Sequence, residues 1–104
     1  MIVDVRTYTL IPRKTPAYVE MFERLALPVT KRHGLQLIGY YTSQIGALNQ
    51  IVHLWRYESL ADLEQKRAAR DADPAWAQFL ASTEGMVLLQ DNKIMKPTSF
   101  SPER

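Results

Sequence analysis

A chain of 104 residues and 12.0 kDa is the size of one ordinary domain, since domains cluster near roughly 100 to 150 residues, and residues 1–104 are taken as a single domain. Its 46% hydrophobic content supports a core and excludes a disordered chain. The absence of cysteine removes disulfides, thiolate metal sites and cysteine nucleophiles together; it permits any compartment and suits a reducing one, and a cytoplasmic location is expected. Thirteen Lys and Arg against eleven Asp and Glu leave a net charge of +2 without a basic block, which implies no nucleic-acid partner.

In chain order, Met1 to Arg6 places charge where a signal peptide has its apolar core, so no cleaved leader is expected. No run approaches the roughly 18 apolar residues of a membrane span, and no membrane partner is expected. Residues 2 to 10, rich in Val, Ile, Thr and Tyr and ended by Pro12, read as a first strand. From Thr15 the period lengthens: Tyr18, Phe22, Leu25, Val29 and His33 recur every three or four residues. That is a helix with Thr15 as N-cap candidate, Pro16 at its first position and Gly34 as its stop. Pro28 inside it removes a backbone donor, which predicts a kink or break near Leu25 and a helix in two pieces.

Residues 35 to 43 and 49 to 57 are β-rich runs around a turn containing Gly46, the pattern of an antiparallel hairpin. Ser59 to Asp62 has capping-box spacing and opens a helix through about Arg70; Asp73-Pro74 opens another through Trp76, Phe79 and Leu80. Met86 to Met95 is a last strand. The order β-α-β-β-α-β is the ferredoxin-like arrangement, an α+β fold with a four-stranded antiparallel sheet and its helices on one face. Both parities of the later strands are partly apolar: Ile51, His53, Trp55 and Tyr57 against Gln50, Val52, Leu54 and Arg56. A sheet apolar on both faces with helix enough for one implies a partner, and a second copy packed sheet to sheet is the economical one.

The stretch His53-Leu54-Trp55-Arg56-Tyr57-Glu58-Ser59-Leu60-Ala61-Asp62, with Asp73-Pro74-Ala75-Trp76, Asn92-Lys93-Ile94-Met95-Lys96-Pro97-Thr98, Arg6-Thr7-Tyr8 and His33-Gly34-Leu35, resembles the NIPSNAP family over nearly the whole chain. The resemblance implies a dimeric α+β barrel in which two ferredoxin-like subunits face their sheets together. Mitochondrial members are associated with trafficking and organelle quality control, but they carry targeting segments and typically two copies of the domain, so those roles are not carried over. The wider superfamily of such barrels includes cofactor-free oxygenases, haem-degrading enzymes and small-molecule isomerases, which by fold alone sets no function.

Among residues that carry chemistry, His53 stands between Ile51 and Trp55 in parity on an aromatic strand, where it could serve as a general base or as a hydrogen-bond donor to a ligand. The competing account is a buried histidine satisfied by neighbours. Asp4, Arg6 and Tyr8 share one parity of the first strand, a neighbour of the third in this topology. The three could therefore converge with His53 and Tyr57 on a polar, aromatic pocket for a carboxylate or enolate, in which Arg6, Tyr8, Trp55 and Tyr57 are the candidate ligand-binding residues; a structural pair of Asp4 with Arg6, or pairing across the dimer, competes with that reading. Arg67 and Arg70, three apart on a helix, could clamp an anion, but such pairs usually belong to a solvated face, with Asp71 and Asp73 close enough to pair. Tyr40, Tyr41, Trp55, Trp76 and Phe79 could line a pocket, but an aromatic stripe in a small domain is more often core or interface, and core is the favoured reading. Two histidines on different elements and no cysteine make a metal site unexpected, and neither a nucleophile elbow nor a phosphate loop is present, so no cofactor is expected. The expected function is a homodimer binding a small apolar or aromatic carboxylated molecule, with cofactor-independent proton abstraction or oxygenation at His53 as its available chemistry. The alternative is a non-catalytic interaction module in which the same residues complete the core and the dimer interface.

Overall fold

The computed structural model describes residues 1–103. Strand β1 (Ile2–Leu10) leads into helix α1 (Thr15–Met21), a π-helical turn at Phe22–Ala26 and helix α2 (Leu27–Arg32). The hairpin strands β2 (Gln36–Thr42) and β3 (Gln50–Tyr57), helices α3 (Leu60–Asp71) and α4 (Pro74–Ser82), and strand β4 (Val87–Met95) follow. The sheet order is β2-β3-β1-β4, antiparallel throughout, which is the ferredoxin-like α+β order read from the sequence.

The helix after β1 is divided as Pro28 requires, though the division takes the form of one widened turn. The Leu27 amide donates to the Phe22 carbonyl, five residues back, where an α-helix would use Glu23. Pro28 has no amide to offer the Arg24 carbonyl, so the ladder that would hold an ordinary turn here is already interrupted. One expectation needs correction at the start of this helix: Lys14, in helical conformation, occupies the cap position, and Thr15 lies inside with its buried Oγ1 unpartnered. The stop at Gly34 holds, with φ of 77° in the left-handed region that glycine tolerates. Helix α3 is capped as read, the Asp62 amide donating to Ser59 Oγ at 3.1 Å while the Asp62 carboxylate accepts from the Glu58 amide at 2.9 Å. Asp73 caps α4 by accepting from the Ala75 amide at 3.0 Å. Its other carboxylate oxygen accepts from Arg32 and lies 2.8 Å from His33 Nε2, so the expected pairing of Asp73 with the α3 arginines is replaced by a tie between the end of α2 and the start of α4.

Register decides which side chains meet. Across β1 and β3, Asp4 faces Trp55, Arg6 faces His53 and Tyr8 faces Ile51; across β1 and β4, Arg6 faces Asn92 and Tyr8 faces Gln90; across β2 and β3, Tyr40 faces His53. Opposed residues project from one face of a sheet, and this face carries the helices. It holds the core, with Leu10, Ile51, Trp55, Tyr57, Phe22, Ala26 and Phe79 all buried. The other face presents half-buried Val52 and Leu54 in its middle, with Tyr41, Leu89 and Met95 exposed around them. No helix among the described residues is long and apolar enough to cross a membrane.

Candidate functional site

Between the helix-bearing face of the sheet and the helices lies a cavity of about 370 Å³, within the roughly 300 to 1,000 Å³ typical of small-molecule sites. All five residues singled out from the sequence, Arg6, Tyr8, His53, Trp55 and Tyr57, line it. The antiparallel register brings them together, because it sets even-numbered residues of β1 against odd-numbered residues of β3. Phe22, Tyr18 and Phe79 close the apolar wall, and Arg67, Arg70, Asp71 and Trp76 reach it from α3 and α4.

At the sheet, a linked set of hydrogen bonds fixes the polar floor. Arg6 donates from Nη1 to Asp4 at 3.0 Å and from Nε to the Tyr8 hydroxyl at 2.9 Å. Asp4 is buried and accepts on its second oxygen from Asn92 at 3.2 Å. The structural pairing of Asp4 with Arg6 therefore exists, and it exists inside the cavity. Burial works against the Arg6 charge, but Tyr8 and Asp4 outweigh it and the guanidinium is held above its ordinary pKa.

His53 is 3% exposed and packed among rings: Tyr40 stacks on it with centroids 4.7 Å apart, and Tyr8 meets it at right angles at 4.8 Å. The Trp55 indole N–H donates to its Nδ1 at 2.7 Å. Since an indole can only donate, Nδ1 is an acceptor and the imidazole proton resides on Nε2, which has no hydrogen-bond partner among the described residues. Burial first, and the Arg6 charge second, push the imidazole pKa down to about 4, against a weaker opposite pull from Asp4. His53 is thus a neutral N–H donor at physiological pH. Its one basic lone pair is committed to Trp55, so of the two roles read from the sequence the donor fits this arrangement. Burial also raises the Tyr18, Tyr40 and Tyr57 phenols, keeping them protonated.

Sequence reasoning favoured a solvated face for Arg67 and Arg70 over an anion clamp; both line the cavity. Arg70 donates from Nε and Nη2 to Asp71 Oδ1 at 3.0 and 2.8 Å and lies over the Trp76 ring at 4.2 Å. The roles of Phe22 and Asn92 were also missed, although Asn92 stands in the block that carried the family resemblance and on a strand neighbouring β1 in this topology. Of the aromatics expected as core, Trp55, Trp76 and Phe79 line the cavity, Tyr40 packs on Phe22 and His53, and Tyr41 projects from the opposite face. No group of three or more His, Asp or Glu among the described residues is arranged to hold a metal ion.

An aromatic cavity with arginines, beneath helices on a ferredoxin-like sheet, marks an α+β domain of the ferredoxin-like class, and comparison with known proteins narrows it. The NIPSNAP family model matches residues 3–102, and the chain belongs to the NIPSNAP family. It is 30% identical over 103 residues to Protein NipSnap of Drosophila melanogaster, covering 99% of this chain and 37% of that protein. It is also 30% identical over 93 residues to Protein NipSnap homolog 3A of Homo sapiens, covering 88% of this chain and 37% of that protein. The chain therefore spans little more than a third of the length of these relatives. Among solved structures, a NIPSNAP family protein of unknown function from Agrobacterium tumefaciens is 41% identical with a TM-score of 0.93, covering 98% of this chain and 92% of that one. A putative antibiotic biosynthesis monooxygenase from Nitrosomonas europaea, 15% identical with a TM-score of 0.68 over 93% of this chain and 98% of that one, shares the fold.

Proposed function

We propose that the protein is a homodimeric α+β barrel in which each subunit binds a small apolar or aromatic carboxylated molecule between its sheet and helices. The observation that carries this reading is the cavity itself: an aromatic chamber of about 370 Å³ whose wall holds a neutral histidine with an unspent N–H, a tyrosine hydroxyl fixed by an arginine, and further arginine side chains. Such a site suits a flat apolar body bearing an acid group. The His53 and Tyr8 donors can polarise a ligand oxygen and so stabilise an enolate or phenolate whose proton has passed to solvent water, which gives cofactor-independent proton abstraction or oxygenation a starting point. His53 acts there by stabilising charge, while its Nδ1 remains with Trp55. A cysteine-free chain is compatible with the reducing cytoplasm, the location this reading assumes.

The dimer rests on the sheet face that the helices leave open. Its centre, with Val5, Val52 and Leu54, is apolar, and Asp91 and Lys93 stand on the same face of β4, opposite charges that a two-fold axis can pair. Sedimentation at micromolar concentration should give about twice 12.0 kDa; a well-folded monomer would overturn the barrel. A second reading, the non-catalytic interaction module, draws on the burial of His53 Nε2, which also suits a purely core histidine. A thermal-shift screen with benzoate, naphthoate and indole acetate, run on wild type and His53→Ala, separates the two. Stabilisation of wild type that the variant loses supports the binding site. A variant that only melts earlier, with no acid stabilising either protein, supports the module.

A further inference from the structure

Three arginines reach the cavity, and their pairing differs. Arg6 has spent two of its three nitrogens, on Asp4 and Tyr8, and its charge is matched by an aspartate that is only 1% exposed. A ligand carboxylate placed on Arg6 would stand beside that buried anion, and like charges in a poorly solvated site repel strongly. Arg70 is bonded through Nε and Nη2 to Asp71 and packed over Trp76. Arg67 lies three residues earlier on α3, and so beside Arg70 on the helix surface. Among the described residues its side chain makes no ion pair and no hydrogen bond. It is half-buried, and its field, with that of Arg70, reaches the Tyr57 phenol at the end of β3 and works to lower the pKa that burial raises.

The charges lining the cavity are therefore Asp4 against Arg6, Asp71 against Arg70, and Arg67 alone, with His53 neutral. Resting on the reading of the cavity as an acid-binding site, we propose that Arg67 is its specificity-determining residue. Arg67 takes the ligand's single carboxylate at the α3 side of the cavity, and Arg6 serves as a positioning residue for Tyr8. One uncancelled cation in an otherwise charge-balanced, aromatic chamber matches one negative charge. The preferred ligand class is thus the aromatic monocarboxylate, with the uncharged amide and the dicarboxylate both disfavoured. The carboxylate gains a charge-assisted fork without breaking an existing pair, which neither Arg6 nor Arg70 can offer.

Calorimetric titration of the full chain with naphthoate and with naphthamide, its uncharged counterpart, tests the assignment in wild type, Arg67→Gln and Arg67→Lys. Wild type should bind naphthoate on the order of tenfold more tightly than naphthamide, as expected for one charge-assisted contact. Arg67→Gln should remove that preference by weakening naphthoate far more than naphthamide, with the melting temperature unchanged, and Arg67→Lys should restore part of it. Naphthoate preferred equally by wild type and Arg67→Gln would overturn the role of Arg67 and leave the acid-binding cavity standing. Failure of wild type to bind either probe would overturn both.

Discussion

The Trp55 indole N–H donates to Nδ1 of His53 at 2.7 Å from two residues further along the same face of β3, so one strand carries both the histidine and the group that fixes its tautomer. Replacing Trp55 with Phe keeps an aromatic ring and removes the donor. Nδ1 then becomes a buried acceptor without a partner, at a cost of about 1 to 3 kcal/mol in urea unfolding. Nitrogen NMR of the imidazole should show the Nε2–H form alone in wild type and a population of the Nδ1–H form in Trp55→Phe. An Nδ1–H tautomer in wild type would contradict the assignment.

The pH dependence of stability follows from the same histidine. Its folded-state pKa of about 4 lies below the unfolded value near 6.5, so between those values the unfolded chain holds a proton that the native state does not. Stability contributed by neutral His53 is fully present above about pH 6.5 and is lost as pH falls toward 4, with a slope of at most about 1.4 kcal/mol per pH unit. His53→Gln should lack that component in unfolding titrations across this window. An equal slope in both proteins would place the titrating group elsewhere.

Asp4 matters through Arg6. Asp4→Asn leaves a guanidinium, itself only 16% exposed, without its countercharge and weakens the link from Asn92. Breaking one side of a buried pair costs on the order of 3 to 5 kcal/mol, which urea unfolding would register. The double variant Asp4→Asn with Arg6→Met should recover part of the loss, because it removes the stranded charge as well. No recovery would mean that the pair matters through packing alone.

Pro28 bears on the site through Phe22, which lines the cavity from the widened turn. Pro28→Ala restores an amide facing the Arg24 carbonyl, and the turn should tighten so that the Leu27 amide moves from Phe22 to Glu23. That rotates Phe22 relative to His53, whose ring centroid now lies 6.1 Å away. A crystal structure of the variant that retains the Phe22 to Leu27 bond would show that packing, and not the proline, sets the turn.

Much of this architecture was legible in the residues. β-rich runs, the Gly34 stop, the capping serine at 59 and the Asp73-Pro74 start each state a local preference that packing did not override, and the parity of β1 and β3 grouped side chains that line one cavity. Parity cannot say which residue faces which, and it took the observed register to set Arg6 against His53. The β2 register, shifted between Leu37 and Gly39, lay further from view still, since a bulge leaves little trace in composition. Thr15 failed as a cap because helical geometry already holds at Lys14, one residue earlier than the Thr-Pro pair suggests. For the α3 arginines the choice between anion clamp and solvated face stayed open for a different reason: no residue of α3 is buried, so its sequence carries no strong stripe to mark the side that meets the cavity.

The central claim, that this cavity is a binding site for an aromatic acid, is met most directly by an NMR titration of the wild-type protein with naphthoate. The account predicts saturable shifts at Tyr8, His53, Trp55, Tyr57 and Arg67, with the His53 Nε2–H signal moving as it gains an acceptor. Shifts confined to the open sheet face or the β2–β3 turn, or no saturable shift at all, would contradict it.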